Sequence, residues 1–196
     1  GQLEVAVLRL VRQVTERTGL RDLCIAGGVG LNCVANGKVS RSGLVDQIYT
    51  SPVSNDAGSA LGAAMWVARE MALVLFIDMK LPYWGPGYSD NEICRALDCM
   101  GLTYERHEAI EQVVASDLAA GKTVGWFQGR MEIGPRALGA RSLLGDPRTT
   151  EMRDRLNRIK GREPWRPLAP ALLEEAVDDY FEGGHPSPFM TFAFPV

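Results

Sequence analysis

A short apolar run that ends in two glycines limits the fold of this chain more than any other feature. Residues 23–26 lead directly into Gly27 and Gly28, a pattern typical of a buried strand that enters a tight turn. The following elements are predicted around it: a helix at 3–17, a helix at 31–39, a strand at 45–49, a turn at 54–58 and a helix at 59–71. Strand, turn and helix in alternation predict an α/β fold.

A stretch rich in proline and glycine divides the sequence. Residues 76–88 contain two prolines and two glycines, which predicts a linker between a first domain at 1–75 and a second domain at 89–196. Immediately after the linker, Ser89 and Glu92 have the spacing of a capping box that begins a helix. The second domain is predicted to contain helices at 91–100, 110–120 and 149–160, and strands at 102–105, 123–127 and 189–196.

Glycines and arginines alternate after the predicted strand at 123–127, and we term residues 128–142 the arginine turn. A guanidinium group binds phosphate or carboxylate through paired, charge-assisted hydrogen bonds, each worth about 1.5 to 3 kcal/mol. From Arg130 to Arg166 the chain has ten Lys or Arg against five Asp or Glu, a charge of +5, whereas the whole chain carries −3. This reversal of charge predicts an oxyanion site, and a solvated basic loop is the alternative.

A second candidate site lies at residues 27–32, which we term the glycine turn. Glycines lack a Cβ and let a ligand approach the backbone, and the N-terminus of the following helix favours negative charge. These properties favour a nucleotide phosphate. A purely structural turn is the alternative, because the glycine spacing is not that of the dinucleotide motif.

Asp56 lies in a polar turn that follows a predicted strand and precedes a helix of small residues. One interpretation is that it caps this helix. The other is that it binds a metal ion or a phosphate. Small residues would let the helix lie close against the sheet and hold the carboxylate in a cleft.

Composition narrows the class of protein. The most apolar window, 57–77, contains Arg69 and Glu70, so we expect no membrane span. Because the sequence starts with Gly1 and stops within a strand-like alternation, we expect a piece of a longer protein. Four cysteines match neither a zinc ribbon nor a redox pair and are predicted to be buried free thiols, which favours a reducing cytoplasm. They are Cys24, Cys33, Cys94 and Cys99.

Five segments together resemble the nodulation-protein and antibiotic O-carbamoyltransferase family. They are residues 27–37, 56–64, 125–142, 157–163 and 166–170. The resemblance extends over nearly the whole chain. It implies the end of an actin/Hsp70-like (ASKHA) ATPase-fold domain at 1–75, similar to the threonylcarbamoyl-transfer enzymes. A YrdC-like α/β domain, truncated at its C-terminus, is implied at 89–196.

The resemblance also implies a function. In that family the YrdC-like domain makes carbamoyl adenylate from carbamoyl phosphate and ATP, with Mg²⁺ expected beside the ATP. The ATPase-fold domain then passes the carbamoyl group to a hydroxyl of a small-molecule acceptor. The acceptor and the oligomeric state are left open by the sequence.

Carried over to this chain, the resemblance implies a set of site residues. Nucleotide contacts are expected at Gly27, Gly28, Asn32, Gln128 and Gly129. The catalytic set that would face carbamoyl phosphate and ATP consists of Arg136, Arg141, Ser142, Lys160, Arg162 and Arg166. Substrates with several negative charges require such fixed cations. Three acids are expected to form structural ion pairs, with orientation of the arginines or Mg²⁺ binding as alternatives: Glu132, Asp146 and Glu163.

The metal site departs from the family pattern. The resemblance implies Fe²⁺ at Asp56, held together with two histidines of an upstream HxxxH helix, as Fe(II) chemistry prefers. The 196 residues contain only His107 and His185, which are not spaced as a pair, and we assign both to surface or packing roles. Asp56 alone is not expected to hold iron tightly, so we expect an incomplete enzyme.

Two other classes of function stay open at this stage. The first is a non-catalytic module that binds nucleotides or anions and performs no chemistry. The second is RNA recognition through a basic concave surface. The aromatic residues near the arginines, Trp126, Phe127 and Trp165, are too few for single-strand stacking, and a pI of about 5.5 also argues against a nucleic-acid partner.

Overall fold

The computed structural model describes residues 1–74 and 79–196 and divides the chain into two compact units. The first unit comprises Gly1–Pro82, Ile133–Arg136 and Leu172–Val196, and the second comprises Tyr83–Glu132 and Ala137–Ala171. Residue 75 of the predicted first domain and residues 76–78 of the predicted linker lie outside the described residues. The units are defined by spatial contact alone, so the domain boundaries inferred from the sequence stay a prediction.

Both units combine helices with short strands, which confirms the α/β class. The helices are α1 (Gln2–Thr18), α2 (Cys33–Ser40), α3 (Ala57–Glu70), α4 (Asp90–Cys99), α5 (Ile110–Ala119), α6 (Thr150–Ile159) and α7 (Val177–Tyr180). The strands are β1 (Asp22–Ile25), β2 (Gln47–Thr50), β3 (Val124–Phe127) and β4 (Arg141–Leu144). Single 3₁₀ turns occupy Gly28–Leu31 and Glu174–Ala176.

The first unit is built on a two-stranded parallel sheet. β1 pairs with β2, with Leu23 opposite Ile48. Parallel strands require a crossover connection, and this one contains α2, against which α1 packs. The two strand residues pack on a small buried core formed by Val11, Val39 and Val45. This packing holds the loops that follow β1 and β2 on one edge of the sheet.

The last residues of the chain run beside α2. The backbone N–H of Ala193 donates to the carbonyl of Cys33 at 3.1 Å. The side-chain amide of Asn36, only 1% exposed, donates to the carbonyl of Thr191 at 2.8 Å. The strand predicted at 189–196 is therefore wrong, because these backbone groups bond to the helix and to its side chain and not to a neighbouring strand.

The second unit is built on an antiparallel pair of strands. β3 pairs with β4, with Phe127 opposite Arg141, and α5 packs against β3. Since the arginine turn joins these two strands, their pairing closes it into a loop with both ends fixed.

Helix ends follow the signals that the sequence carries. Ser89 and Glu92 form the predicted capping box at the start of α4, where the Ser89 N–H donates to Oε2 of Glu92 at 2.8 Å. Thr149 caps α6 and accepts from the N–H of Met152 at 3.3 Å. α1 ends at Gly19, whose φ of 72° favours glycine.

Residues 83–87, which fall in the stretch predicted as a linker, pair with the start of the arginine turn. The N–H of Gly85 donates to the carbonyl of Met131 at 2.8 Å, and the N–H of Met131 donates to the carbonyl of Pro86 at 2.9 Å. This short ladder belongs entirely to the second unit.

Two further predictions about elements are wrong. Residues 102–105 form no strand, because they pair with no other strand in the part of the chain that the structure describes. α3 does not lie against the sheet: Ala68 is its buried residue, and Trp66 is 61% exposed. A run of small residues permits close packing but does not require it.

The four cysteines are free thiols, and His185 packs against aromatic rings. All four cysteines are free, as predicted, but none is buried: Cys24 and Cys99 are exposed and the other two are half-buried. His185 packs edge-on against Phe192 and Phe194, which agrees with its predicted packing role.

Within the described ranges, no helix combines the length and the apolar character that crossing a membrane requires.

Candidate functional site

The glycine turn joins β1 to α2 at the carboxyl end of the parallel sheet. Gly27 has a φ of 87°, a conformation that favours glycine. A Cβ built on Gly27 or on Gly28 would meet no atom within 4 Å, so a ligand has room to approach this backbone. Asn32 caps α2 with its side chain, whose Oδ1 accepts from the N–H of Ala35 at 3.0 Å.

Arg136 lies beside the glycine turn in the first unit. Its Nη2 donates to the carbonyl of Leu31 at 2.8 Å, and the side chain is half-buried. The sequence grouped Arg136 with Arg141 and the later cations. The structure instead assigns Arg136 to the first unit and the others to the second.

Asp56 stands on an open surface and not in the expected cleft. It occupies the N-cap position of α3, but its carboxylate accepts no capping hydrogen bond. The neighbouring Asn55 has a buried Oδ1 without a partner among the described residues. Nowhere in residues 1–74 and 79–196 do three His, Cys, Asp or Glu side chains cluster as metal ligands would. These residues do not fit a complete iron site.

Arg141, a half-buried residue of the second unit, bonds to the backbone of the arginine turn. Its guanidinium donates to four backbone carbonyls at 2.8 to 3.4 Å, those of Gln128, Ala140, Gly129 and Pro86. The guanidinium carbon also lies 3.5 Å from the centre of the Phe127 ring, a cation–π contact. Arg141 therefore directs most of its donors at the protein itself.

Two further predicted site residues brace the same turn. Nε2 of Gln128 donates to the carbonyl of Gly139 at 3.0 Å, and Oγ of Ser142 accepts from the N–H of Gly139 at 3.0 Å. Gly129 has a φ of 51° and open space where a side chain would be. The turn thus presents a rigid backbone with one uncovered glycine.

Glu132 organises the arginine turn through the backbone. The residue is 7% exposed, and its Oε1 accepts from the N–H groups of Leu138 (2.7 Å), Ala140 (2.7 Å) and Arg141 (3.1 Å). Burial alone would raise the pKa of Glu132, but these backbone donors outweigh it and hold the pKa below its ordinary value. The expected ion pair of Glu132 is wrong, because its partners are backbone amides.

A second set of cations follows α6, and we term residues 160–166 the cationic loop. Asn157, 1% exposed, fixes it: Nδ2 donates to the carbonyls of Pro164 (3.2 Å) and Arg166 (3.0 Å), and Oδ1 accepts from Nε of Arg162 at 2.6 Å. Lys160 is exposed and makes no ion pair within the described part of the chain. The buried amide of Asn157 therefore fixes the side chain of Arg162 and the loop backbone at Pro164 and Arg166.

Ion pairs account for the other two acids, as predicted. Arg148 pairs with Asp146, and this contact lowers the pKa of Asp146. Nε of Arg166 lies 2.7 Å from Oε2 of Glu163. Neither acid stands free to bind Mg²⁺ without breaking a pair.

The sequence analysis missed the organising role of Asn157, and for Glu132 it gave orientation of the arginines only as an alternative to an ion pair. Both residues are polar and buried, and a single sequence gives no direct sign of burial for a polar residue in a loop or at a helix end. The available signal was position: each stands within a few residues of several cations and glycines.

Comparison with known proteins then identifies the family. Residues 2–65 match the model of the carbamoyltransferase N-terminus, and residues 115–196 match that of the carbamoyltransferase C-terminus. The chain belongs to the carbamoyltransferase family. The resemblance seen in the sequence is thereby confirmed.

Similar proteins match nearly all of this chain. An uncharacterised protein of Synechocystis sp. is 46% identical over 197 residues, which are 95% of this chain and 32% of the relative. Nodulation protein NolO of Bradyrhizobium diazoefficiens is 43% identical over 99% of this chain and 37% of its own length. Nodulation protein U of Rhizobium fredii is 40% identical over 89% of this chain and 29% of its own length. The chain thus spans about a third of the length of the curated relatives it matches.

Proposed function

We propose that this chain forms part of an O-carbamoyltransferase. The full enzyme converts carbamoyl phosphate, ATP and water into carbamoyl adenylate, phosphate and pyrophosphate. Water releases phosphate from the donor, the resulting carbamate oxygen attacks the α-phosphorus of ATP, and pyrophosphate leaves. A hydroxyl of a small-molecule acceptor then attacks the carbamoyl carbon and releases AMP. Family membership supports the carbamoyl chemistry, and the adenylate route is our proposal.

The cationic loop is the observation that carries this proposal. Two phosphorylated substrates bring several negative charges together, and fixed cations must neutralise them before a nucleophile can attack phosphorus. Lys160, Arg162 and Arg166 lie within seven residues on a backbone that the buried Asn157 fixes. Such preorganisation costs no reordering at the moment of reaction.

The remaining assignments follow from this chemistry. ATP binds with Mg²⁺ in the second unit, where the backbone of Gly129 in the arginine turn is open to it. In the first unit, the open glycines Gly27 and Gly28 are assigned separately to a nucleotide. Arg141 and Ser142 keep the arginine turn in shape beneath the substrate. No step is assigned to iron, because the described residues do not complete its site. Four free cysteines support a reducing compartment such as the cytoplasm.

The proposal is tested by Arg162→Ala in the full-length protein. Loss of this guanidinium is expected to lower carbamoyl-phosphate-dependent pyrophosphate release about 100-fold or more, because a preorganised charge is removed from the reacting phosphates. The matched control is Arg153→Ala, an exposed arginine of α6 in the same unit that pairs with Asp154, and it should leave the rate unchanged. Full turnover in Arg162→Ala would contradict the proposal.

A non-catalytic nucleotide-binding module is the second candidate. It is favoured by Arg141, which directs most of its donors at backbone carbonyls. Calorimetry separates the two functions: ATP binding that carbamoyl phosphate neither competes with nor enhances, together with an absence of pyrophosphate release, would favour the module.

A further inference from the structure

The segment Ile133–Arg136 belongs to the first unit, although its sequence neighbours on both sides belong to the second. Its anchoring is specific. The N–H of Ile133 donates to the carbonyl of Pro82 at 2.7 Å. Gly134 has a φ of 95°, and a Cβ at this position would clash with the carbonyl oxygen of Pro52. Only glycine permits this approach.

The anchored segment brings Arg136 to the edge of the parallel sheet. Nη2 of Arg136 donates to the carbonyl of Leu31, at the end of the glycine turn that follows β1. Pro52, which Gly134 contacts, follows β2. Both loops leave the carboxyl ends of parallel strands, which is where open α/β sheets bind their ligands.

The same edge of the sheet contains a buried hydroxyl that makes no hydrogen bond to any described residue. Thr50, the last residue of β2, is 2% exposed, and its Oγ1 finds no hydrogen-bond partner in the described part of the chain. A buried hydroxyl without a partner is costly, so such a group indicates that another polar partner belongs there. The open backbone of Gly27 and Gly28 lies on the same edge of the sheet.

The guanidinium of Arg136 also has N–H groups without a hydrogen-bond partner among the described residues. Its Nη2 bonds to Leu31, whereas Nε and Nη1 make no hydrogen bond to any described residue. Nη2 carries a second N–H, which lies parallel to an N–H of either Nε or Nη1, so this half-buried guanidinium still offers a fork of two donors. A phosphate accepts two such parallel hydrogen bonds. Arg141, in contrast, already donates hydrogen bonds to four backbone carbonyls.

We propose that Arg136 binds the phosphate of an adenine nucleotide at the glycine turn of the first unit and takes no part in the cationic loop of the second unit. The inference rests on the proposed function, because the nucleotide is the adenylate that the transfer step consumes. Arg136 is then a substrate-binding residue of carbamoyl transfer, while Lys160 and Arg162 serve adenylate formation.

The test uses AMP as the probe and amide hydrogen exchange, read by mass spectrometry, as the measurement. AMP should protect residues 27–36 of the wild-type chain. Arg136→Ala should raise the AMP concentration needed for this protection at least about 10-fold, the typical effect of losing one charge-assisted contact. Arg136→Lys, which keeps the charge without the planar fork, should keep part of the affinity.

Two variants serve as controls. Arg41→Ala removes another arginine of the first unit that donates to a carbonyl, that of Ala193 at 2.9 Å, and should leave the AMP protection unchanged. Arg162→Ala should leave it unchanged as well. The inference is overturned if Arg136→Ala keeps wild-type protection, if Arg162→Ala loses it equally, or if the wild-type chain shows none.

Two further measurements distinguish failure of the inference from misfolding of a variant and from failure of the proposed function. If circular dichroism shows that Arg136→Ala is unfolded, Arg136→Lys and Arg136→Gln decide by the same criterion. Carbamoyl-phosphate-dependent pyrophosphate release by the full-length protein is measured in parallel. Its presence without AMP protection of residues 27–36 would sink the inference and leave the proposed function standing.

Discussion

Glu132 shows how a single buried carboxylate can order a loop that carries cations. It gathers three backbone N–H groups of the arginine turn on one oxygen, and Arg141 then adds its own bonds to the carbonyls of that turn. A buried carboxylate that lost these donors would be left without its partners, which is expensive. Glu132 and Arg141 therefore order the backbone of the arginine turn together.

Glu132→Gln is expected to lower the free energy of unfolding at neutral pH by about 1.5 to 3 kcal/mol, because an amide oxygen accepts more weakly than a carboxylate. The lowered pKa of Glu132 also fixes the pH dependence. Its contribution is complete above the unfolded-state pKa of about 4.3 and disappears as the pH falls through the lower folded-state value.

Urea unfolding of both proteins between about pH 3 and pH 7 measures this effect. The difference between wild type and variant should shrink on acidification. Curves that run parallel across the range would show that the charge of Glu132 does not stabilise the turn.

At the scale of elements, helix ends are set by local side chains. At the start of α4 the hydroxyl of Ser89 donates to Oε2 of Glu92 at 2.7 Å and accepts from the backbone N–H of Glu92 at 3.4 Å. Ser89→Ala should therefore cost about 1 kcal/mol, the usual value of an N-cap. Thermal or urea unfolding gives the number.

Ser116→Ala is the matched control for the capping prediction. Ser116 lies within α5 and donates back to the carbonyl of Gln112 at 2.9 Å, a bond that does little for a helix. Its loss should be near neutral because alanine has the higher helix propensity. Equal effects of the two substitutions would show that the capping box contributes nothing special.

Element by element, the sequence predicted what depends on near neighbours. The cap at Ser89, the stop at Gly19 and the strand that enters the arginine turn were all readable, because each signal lies within a few residues of its effect. The strands at 102–105 and 189–196 failed because a strand needs a partner, and pairing is a long-range property that alternation does not reveal.

The whole molecule adds what no local pattern contains. Ile133–Arg136 and Leu172–Val196 join the N-terminal part of the first unit, Gly1–Pro82, although 50 and 89 residues, respectively, separate them from it along the chain. For this reason the sequence predicted the cations of the candidate site but not their division: Arg136 bonds to the glycine turn, and Arg162 bonds to the buried Asn157. Family membership was readable because its motifs are contiguous.

The measurement that tests the central claim most directly is isotope exchange between labelled pyrophosphate and ATP in the full-length protein. If the enzyme forms carbamoyl adenylate reversibly, label should enter ATP when carbamoyl phosphate is present and not when it is omitted, and Arg162→Ala should abolish the exchange. Transfer of a carbamoyl group to an acceptor without any such exchange, or exchange that ignores carbamoyl phosphate, would contradict the account.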